Sequence, residues 1–223
     1  MKTAASGSRT RRRRSNFPTE LIDGYAKFSM GRLQSEQGRY RQLARRGQTP
    51  KTMIVGCCDS RVSPEVIFDA RPGELFVVRN VANLVPPYKA NSRLHAVSAA
   101  LEYGIEVLKV RNIVILGHAR CGGVRAFTMK APRMSAQNSI GRWISLISPA
   151  LAKVGPRGSL SYDEYLERLE KASIVNTLDN LMTFPRLKTL VDQGAVALHG
   201  AYFGIERGDL SIFDKVTGDF QLV

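Results

Sequence analysis

Apolar residues collect along this chain in four short runs, near residues 52–57, 75–79, 112–117 and 195–203, and between the runs they recur at helical spacing. Met53-Ile54-Val55-Gly56 and Asn112-Ile113-Val114-Ile115-Leu116-Gly117 are typical of the runs. Such segments read as short core strands. Over residues 94–108 the apolar positions are Leu94, Val97, Leu101, Ile105 and Leu108, and over 163–181 they are Leu166, Leu169, Ile174, Leu178 and Leu181. Both patterns predict helices, the second opened by the capping-box pair Ser161 and Glu164. Strands alternating with helices predict an α/β fold, a central mostly parallel sheet flanked by helices.

Outside this frame three further elements are expected. From Pro18 to about Ala44 the pattern is helical, with Thr19 as the cap and Leu21, Ile22, Tyr25, Phe28, Met30 and Leu33 as an apolar stripe suited to packing on another subunit. Ile140, Trp143, Ile144, Ile147 and Leu151 predict a short packed helix. Gly208-Asp209, between Ala201-Tyr202-Phe203 and Leu210-Ser211-Ile212-Phe213, predicts a hairpin at a sheet edge.

With 223 residues, 43% of them apolar, the chain has material for one sizeable core and not for two. Lys2, Arg9 and Arg11-Arg12-Arg13-Arg14 supply six of the net fourteen positive charges with no acid nearby, so residues 1–16 read as a disordered basic tail and 17–223 as the folded part. That tail has no apolar stretch, which argues against export and membrane insertion. Its charge alone would give weak attraction to nucleic acid or anionic lipid, with no specific nucleic-acid role implied. Cys57, Cys58 and Cys121 are too few for a disulfide framework or a closed four-cysteine zinc knuckle. Cysteine usage points to a reducing compartment, and the expected location is cytoplasmic.

The chemistry gathers at two strand ends. Cys57 closes the run that begins at Met53, while His118 and Cys121 follow the run that begins at Asn112. Two thiolates and one imidazole are a ligand set that Zn²⁺ takes tetrahedrally, leaving one position open. Cys58 directly follows Cys57 and points to the opposite face of an extended backbone, so it reads as a small buried hydrophobe rather than a ligand. Gly122-Gly123 fit a close backbone approach at a helix start.

Asp59 and Arg61 stand two and four residues beyond Cys57. Two opposed readings follow. Asp59 either takes the fourth zinc position itself, or pairs bidentately with Arg61 and leaves that position to water. In the second case the aspartate can accept a hydrogen bond from the nucleophile and orient it.

Cys57-Cys58-Asp59-Ser60-Arg61 followed by His118-Ala119-Arg120-Cys121-Gly122-Gly123 resembles the paired motifs of the β-class carbonic anhydrases, complete and in order. Gln48-Thr49-Pro50-Lys51, Pro72 through Asn80 and Ala82 through Pro87 are also similar to that family, and the resemblance runs from about residue 20 to the C-terminus. One departure stands out: Ala96-Val97 occupies a place where many close relatives look like Gly-Thr. No candidate ligand is lost by it.

The resemblance implies zinc-dependent reversible hydration of carbon dioxide to bicarbonate, with one Zn²⁺ per subunit. It also implies a homodimer or higher even-numbered oligomer whose N-terminal helices embrace a partner. Within the family the chain resembles the group whose fourth zinc position readily holds water, and Gln48, Phe76 and Tyr103 match the substrate-side positions of that group. Two thiolates donate more charge than imidazoles would, so the activity is expected to favour alkaline pH. Neither His95 nor His199 is placed at the metal by the sequence, which leaves proton release to buffer or water. Two rivals share the motifs: a hydrolase of carbon disulfide or carbonyl sulfide, and a non-catalytic zinc protein.

Overall fold

The computed structural model describes residues 16–90, 96–129 and 138–223. The basic tail expected over 1–16 therefore falls, apart from residue 16, outside the described residues, and so does His95. Contacts divide the chain into two units, Met1–Gly47 and Gln48–Val223.

The first unit holds α1 (Thr19–Met30) and α2 (Arg32–Arg46). The single helix expected over 18–44 is thus broken at Gly31, whose φ of −111° and ψ of −99° do not continue a helix. Thr19 is the first helical residue rather than the cap; Pro18 takes that place and suits it, having no N–H to satisfy. Leu21, Ile22, Tyr25 and Met30 are exposed, an apolar stripe left without cover in the single chain.

The second unit runs β1 (Thr52–Cys57), α3 (Pro64–Ile67), β2 (Leu75–Asn80), a 3-10 turn at Val81–Asn83, α4 (Ala96–Glu106), β3 (Asn112–His118), α5 (Gly122–Thr128), α6 (Ser139–Ile144), a second 3-10 turn, α7 (Ser148–Val154), α8 (Tyr162–Leu181), α9 (Pro185–Asp192), β4 (Ala197–Gly204), β5 (Asp209–Phe213) and β6 (Phe220–Leu222). The strands lie in the order β2-β1-β3-β4-β5-β6. The first four are parallel; β5 and β6 are antiparallel additions. The expected hairpin joins β4 to β5, but β6 covers β5 and is itself the sheet's edge.

Alternation along each strand sorts the core. Met53, Val55, Ile113 and Ile115 face one side, where they pack with Leu101 and Ile105 of α4, Ile174, Leu178 and Leu181 of α8 and Leu187 of α9. Ile54 and Leu116 face the other side, in a smaller cluster with Val62 and Ala201. The capping box of α8 forms as expected, with Glu164 N–H donating to Ser161 Oγ and Ser161 N–H donating to Glu164 Oε2. The helix expected around Trp143 is instead two short helices, α6 and α7, joined by the 3-10 turn Ser145–Ile147. Pro149, just inside the start of α7, cannot donate to a preceding turn.

Strand order reverses between β1 and β3, since the chain leaves β1 for β2 on one side and returns to β3 on the other. In open α/β sheets that switch point, at the carboxyl ends of the strands, is where ligands bind. Parallel pairing places Gly56 opposite Leu116, so the ends of β1 and β3, some sixty residues apart in sequence, finish side by side.

Candidate active site

Cys57 is the last residue of β1 and His118 the last of β3; Cys121 caps the following helix, α5. All three are buried, and their ligand atoms lie within 4.8 Å of one another. His118 Nδ1 donates to the carbonyl of its neighbour Ala119 at 2.9 Å, which fixes the tautomer and leaves Nε2 with a free lone pair. Nε2 is buried and has no hydrogen-bond partner among the described residues. An orphaned acceptor at this depth is costly unless something fills it, and a metal ion does.

The sulfurs support the same conclusion. Hydrogen bonding from Cys121 holds the Cys57 thiol well below the usual range, and the thiolate formed there pushes Cys121 well above it. One proton thus serves two sulfurs, and a cation between them would replace it. Backbone N–H groups already address both: those of Ala82 and Asp59 favour the Cys57 thiolate, and those of Gly123 and Val124 favour the Cys121 thiolate. Two sulfurs and an imidazole nitrogen within 4.8 Å of one another match a zinc site with an open position.

Local sequence explains how these groups arrive. The turn Val81–Asn83 bends back over the site with Ala82 at φ 65° and Asn83 at φ 49°, both left-handed. Asn80 pays for this strain by accepting from Leu84 N–H and donating to Leu84 O. Gly123 lets α5 close on that turn, because a Cβ there would meet Val81 Cγ1 at 2.8 Å and Ala82 Cβ at 3.0 Å. Gly122 has open space around its missing Cβ, so packing does not require it.

Asp59 is paired with Arg61, the arrangement of the second of the two readings. Arg61 Nε donates to Asp59 Oδ1 at 2.9 Å and Nη2 to Oδ2 at 2.8 Å, with Arg61 N–H adding a third bond to Oδ1. This bidentate pairing and the third bond hold the carboxyl far below the ordinary carboxylate range. Oδ2 stands 4.0 Å from His118 Nε2, beside the ligand atoms and turned toward Arg61. The same Nη2 donates to the carbonyl of Arg120 at 3.2 Å, tying the Asp59 loop to the loop between the two other ligands.

Cys58 departs from expectation. It is exposed, because β1 ends at Cys57 and residue 58 has already left the sheet. Burial of its sulfur still raises its pKa.

The residues that the resemblance puts on the substrate side, Gln48, Phe76 and Tyr103, are not gathered at this end of the sheet. Phe76 and Tyr103 meet each other, ring centroids 5.9 Å apart. Phe76, however, pairs in register with Met53, whereas Cys57 pairs with Asn80. Four residues of strand separate those levels, about 13 Å. Gln48 is exposed at the start of the second unit.

Three contributors escaped the sequence reading. Arg79 donates to the carbonyls of Cys57, Asp59 and Val62 at 2.9, 2.7 and 2.8 Å, pinning the loop that carries Asp59 and Arg61. Glu170 and Tyr202 stand behind Cys121: Glu170 Oε1 accepts from Cys121 N–H at 2.6 Å and Oε2 from Tyr202 O–H at 2.8 Å. Burial lifts the Glu170 carboxyl to about 7 against the pull of those two donors. A signal existed for Glu170, a charge four residues after Leu166 and four before Ile174 on the apolar stripe of α8.

The sequence profile of the family described as carbonic anhydrase matches residues 52–210. Two curated relatives from Arabidopsis thaliana are beta carbonic anhydrase 5, chloroplastic, 36% identical over 182 residues, and beta carbonic anhydrase 3, 33% identical over 208. The matches cover 81% and 91% of this chain, and 58% and 80% of the relatives. Among solved structures, the β-carbonic anhydrase CcaA is 30% identical with a TM-score of 0.86, covering 92% of this chain and 98% of that one. The Coccomyxa β-carbonic anhydrase in complex with acetazolamide is 26% identical with a TM-score of 0.76, covering 88% and 86%.

Proposed function

The chain belongs to the β-carbonic anhydrase family, and from that membership we propose that it catalyses the reversible hydration of carbon dioxide to bicarbonate and a proton, with one Zn²⁺ per subunit held by Cys57, His118 and Cys121. The observation that carries this reading is the orphaned, buried Nε2 of His118 among two sulfurs, with Asp59 beside it but committed to Arg61. A non-catalytic zinc protein would have no use for that arrangement. Zinc in this site supplies a nucleophile at ordinary pH by lowering the pKa of a water ligand.

The protein's own groups do the rest. Asp59 stays ionised throughout the working range because Arg61 holds it so, and its carboxylate would accept a hydrogen bond from the nucleophile's O–H and so orient it toward the substrate. Arg61 prevents Asp59 from turning onto the metal. Two thiolate donors would leave a bound metal less electron-poor than imidazoles would, so activity is expected to rise toward alkaline pH.

Gln48, Phe76 and Tyr103 supply the substrate-side surface, Gln48 as a donor to a bicarbonate oxygen and the rings as an apolar wall for carbon dioxide. Phe76 is half-buried on β2, at an edge of the sheet and four strand residues from the level of Cys57, and Tyr103, exposed on α4, meets its ring. They serve the site of a second protomer, which makes the working unit a homodimer or a larger even assembly. The exposed apolar stripe of α1 is a further surface for such a partner. Reduced cysteines fit a cytoplasmic location. Among the described residues no helix is long and apolar enough to cross a membrane.

Stopped-flow hydration of carbon dioxide by the zinc-loaded protein, run beside sulfide release from carbon disulfide and carbonyl sulfide, tests the reading. Hydration is expected to dominate. Dominant sulfide release, or no turnover of any of the three, overturns it.

A further inference from the structure

A carboxylate is seldom taken out of water without cause, and Glu170 is 3% exposed. It sits on α8 at the centre of a chain of three elements. Tyr202, on β4 and level with Gly117 of β3, donates its hydroxyl to Oε2; Oε1 accepts the N–H of Cys121 at the start of α5. The 2.6 Å separation at Cys121 is the short distance of a charge-assisted bond. Tyr202 is in turn 4% exposed, and Lys171 lies over its ring, 5.0 Å from the centroid.

What this grips is a metal ligand by its backbone. Cys121 is the cap of α5, the residue at which the chain enters that helix. With its N–H held by Glu170, its Cα is fixed, and its sulfur is left to the amides of Gly123 and Val124. Arg120, immediately before it, has φ 55°, a left-handed turn that a bulky residue does not adopt unaided. The Glu170 bond lies on the far side of that turn and keeps it closed.

We propose that Glu170 and Tyr202 are positioning residues of the metal centre: together they hold the backbone of Cys121 so that its sulfur meets the metal at the geometry set by Cys57 and His118. The inference rests on the zinc reading above. Neither residue touches substrate, so they act on metal retention and on turnover, not on substrate affinity.

Glu170→Ala is expected to release zinc to a chelator about 10- to 100-fold faster than the parent, the range for losing a group that orients a ligand. It should also shift the absorption bands of the cobalt-substituted protein and lower kcat with little change in KM. Glu170→Gln keeps an oxygen for Cys121 N–H and can donate to the Tyr202 oxygen, so it should restore slow release and the parental cobalt spectrum. Tyr202→Phe should release zinc faster than the parent and more slowly than Glu170→Ala. A folded Glu170→Ala that loses zinc at the parental rate with an unchanged cobalt spectrum overturns the proposal, since a purely structural role would lower only its melting temperature. If Glu170→Ala does not fold, Tyr202→Phe decides the matter, and parental zinc release and spectrum in that variant overturn the proposal equally. A parent that binds neither zinc nor cobalt would instead sink the proposed function.

Discussion

Arg61 grips both carboxylate oxygens of Asp59, its Nε 2.9 Å from Oδ1 and its Nη2 2.8 Å from Oδ2. In the proposed zinc site this pairing would keep Asp59 off the metal. Removing the guanidinium in Arg61→Ala frees Asp59 to swing toward the metal, Oδ2 being already 4.0 Å from His118 Nε2. Hydration should fall on the order of 10- to 100-fold while zinc content stays at one per chain. Rates by stopped flow and metal by elemental analysis check this together; full activity in the variant would remove Arg61 from the role given to it.

The two adjacent cysteines should behave differently. Cys57 is buried among the ligand atoms and Cys58 is exposed beyond the strand end. Cys57→Ser should lose zinc and activity together. Cys58→Ser should keep both within about twofold of the parent, surface changes away from special contacts being nearly neutral. Zinc stoichiometry after dialysis against a chelator reads the contrast, and zinc loss from Cys58→Ser alone would reverse the ligand assignment.

Gly117 precedes His118 and lies against α8, where an added Cβ would meet Ile174 Cδ1 at 2.6 Å and Cγ1 at 2.8 Å. Ile174 is fully buried. Gly117→Ala should therefore destabilise the fold by about 1–3 kcal/mol, the usual cost of overpacking. Adding Ile174→Val removes the nearer of the two atoms and should return part of the loss. Urea unfolding of both variants checks it, and equal stability of the single and double variants would show that the strain is elsewhere.

Burial and the nearby charge of Lys215 hold the His199 imidazole below its ordinary pKa, and Nε2 lies 3.1 Å from Asn112 Oδ1. The ring is therefore neutral in the fold while the unfolded chain takes up a proton near pH 6.5. Its contribution is whole above pH 6.5 and is lost as pH falls from there through the folded value. His199→Gln should flatten stability against pH in that acid window and leave the alkaline side unchanged. Chemical unfolding at several pH values from 5 to 8 measures the difference; a parental acid slope in the variant would assign that slope to other groups.

Mixing tests the shared pocket. A protomer carrying Cys57→Ser keeps Phe76 and Tyr103, and a protomer carrying Phe76→Ala keeps its metal. Refolded together they should recover more activity than either gives alone, because the hybrid contains one complete site. No gain on mixing, in a preparation shown by native mass spectrometry to contain hybrids, would place Phe76 outside a partner's site.

Strand runs, the helices of the core and the ligand trio were all legible along the chain, because each is local: burial of a parallel strand shows as an unbroken apolar run, and metal ligands are few and chemically distinctive. The break at Gly31 was missed because an apolar stripe continues through it, and the sixth strand because Phe220–Leu222 is too short to show a pattern. Tertiary structure alone decided the rest. The bond from Arg61 to the carbonyl of Arg120, about sixty residues away, joins the Asp59 loop to the loop between His118 and Cys121, which no local pattern announces. That Glu170 backs a zinc ligand depends on α8 lying across the ends of β3 and β4. Sequence determines which groups are present and which segments must be buried; the choice among partners for a carboxylate is made by whatever donors parallel pairing and helix packing bring within 3 Å of it.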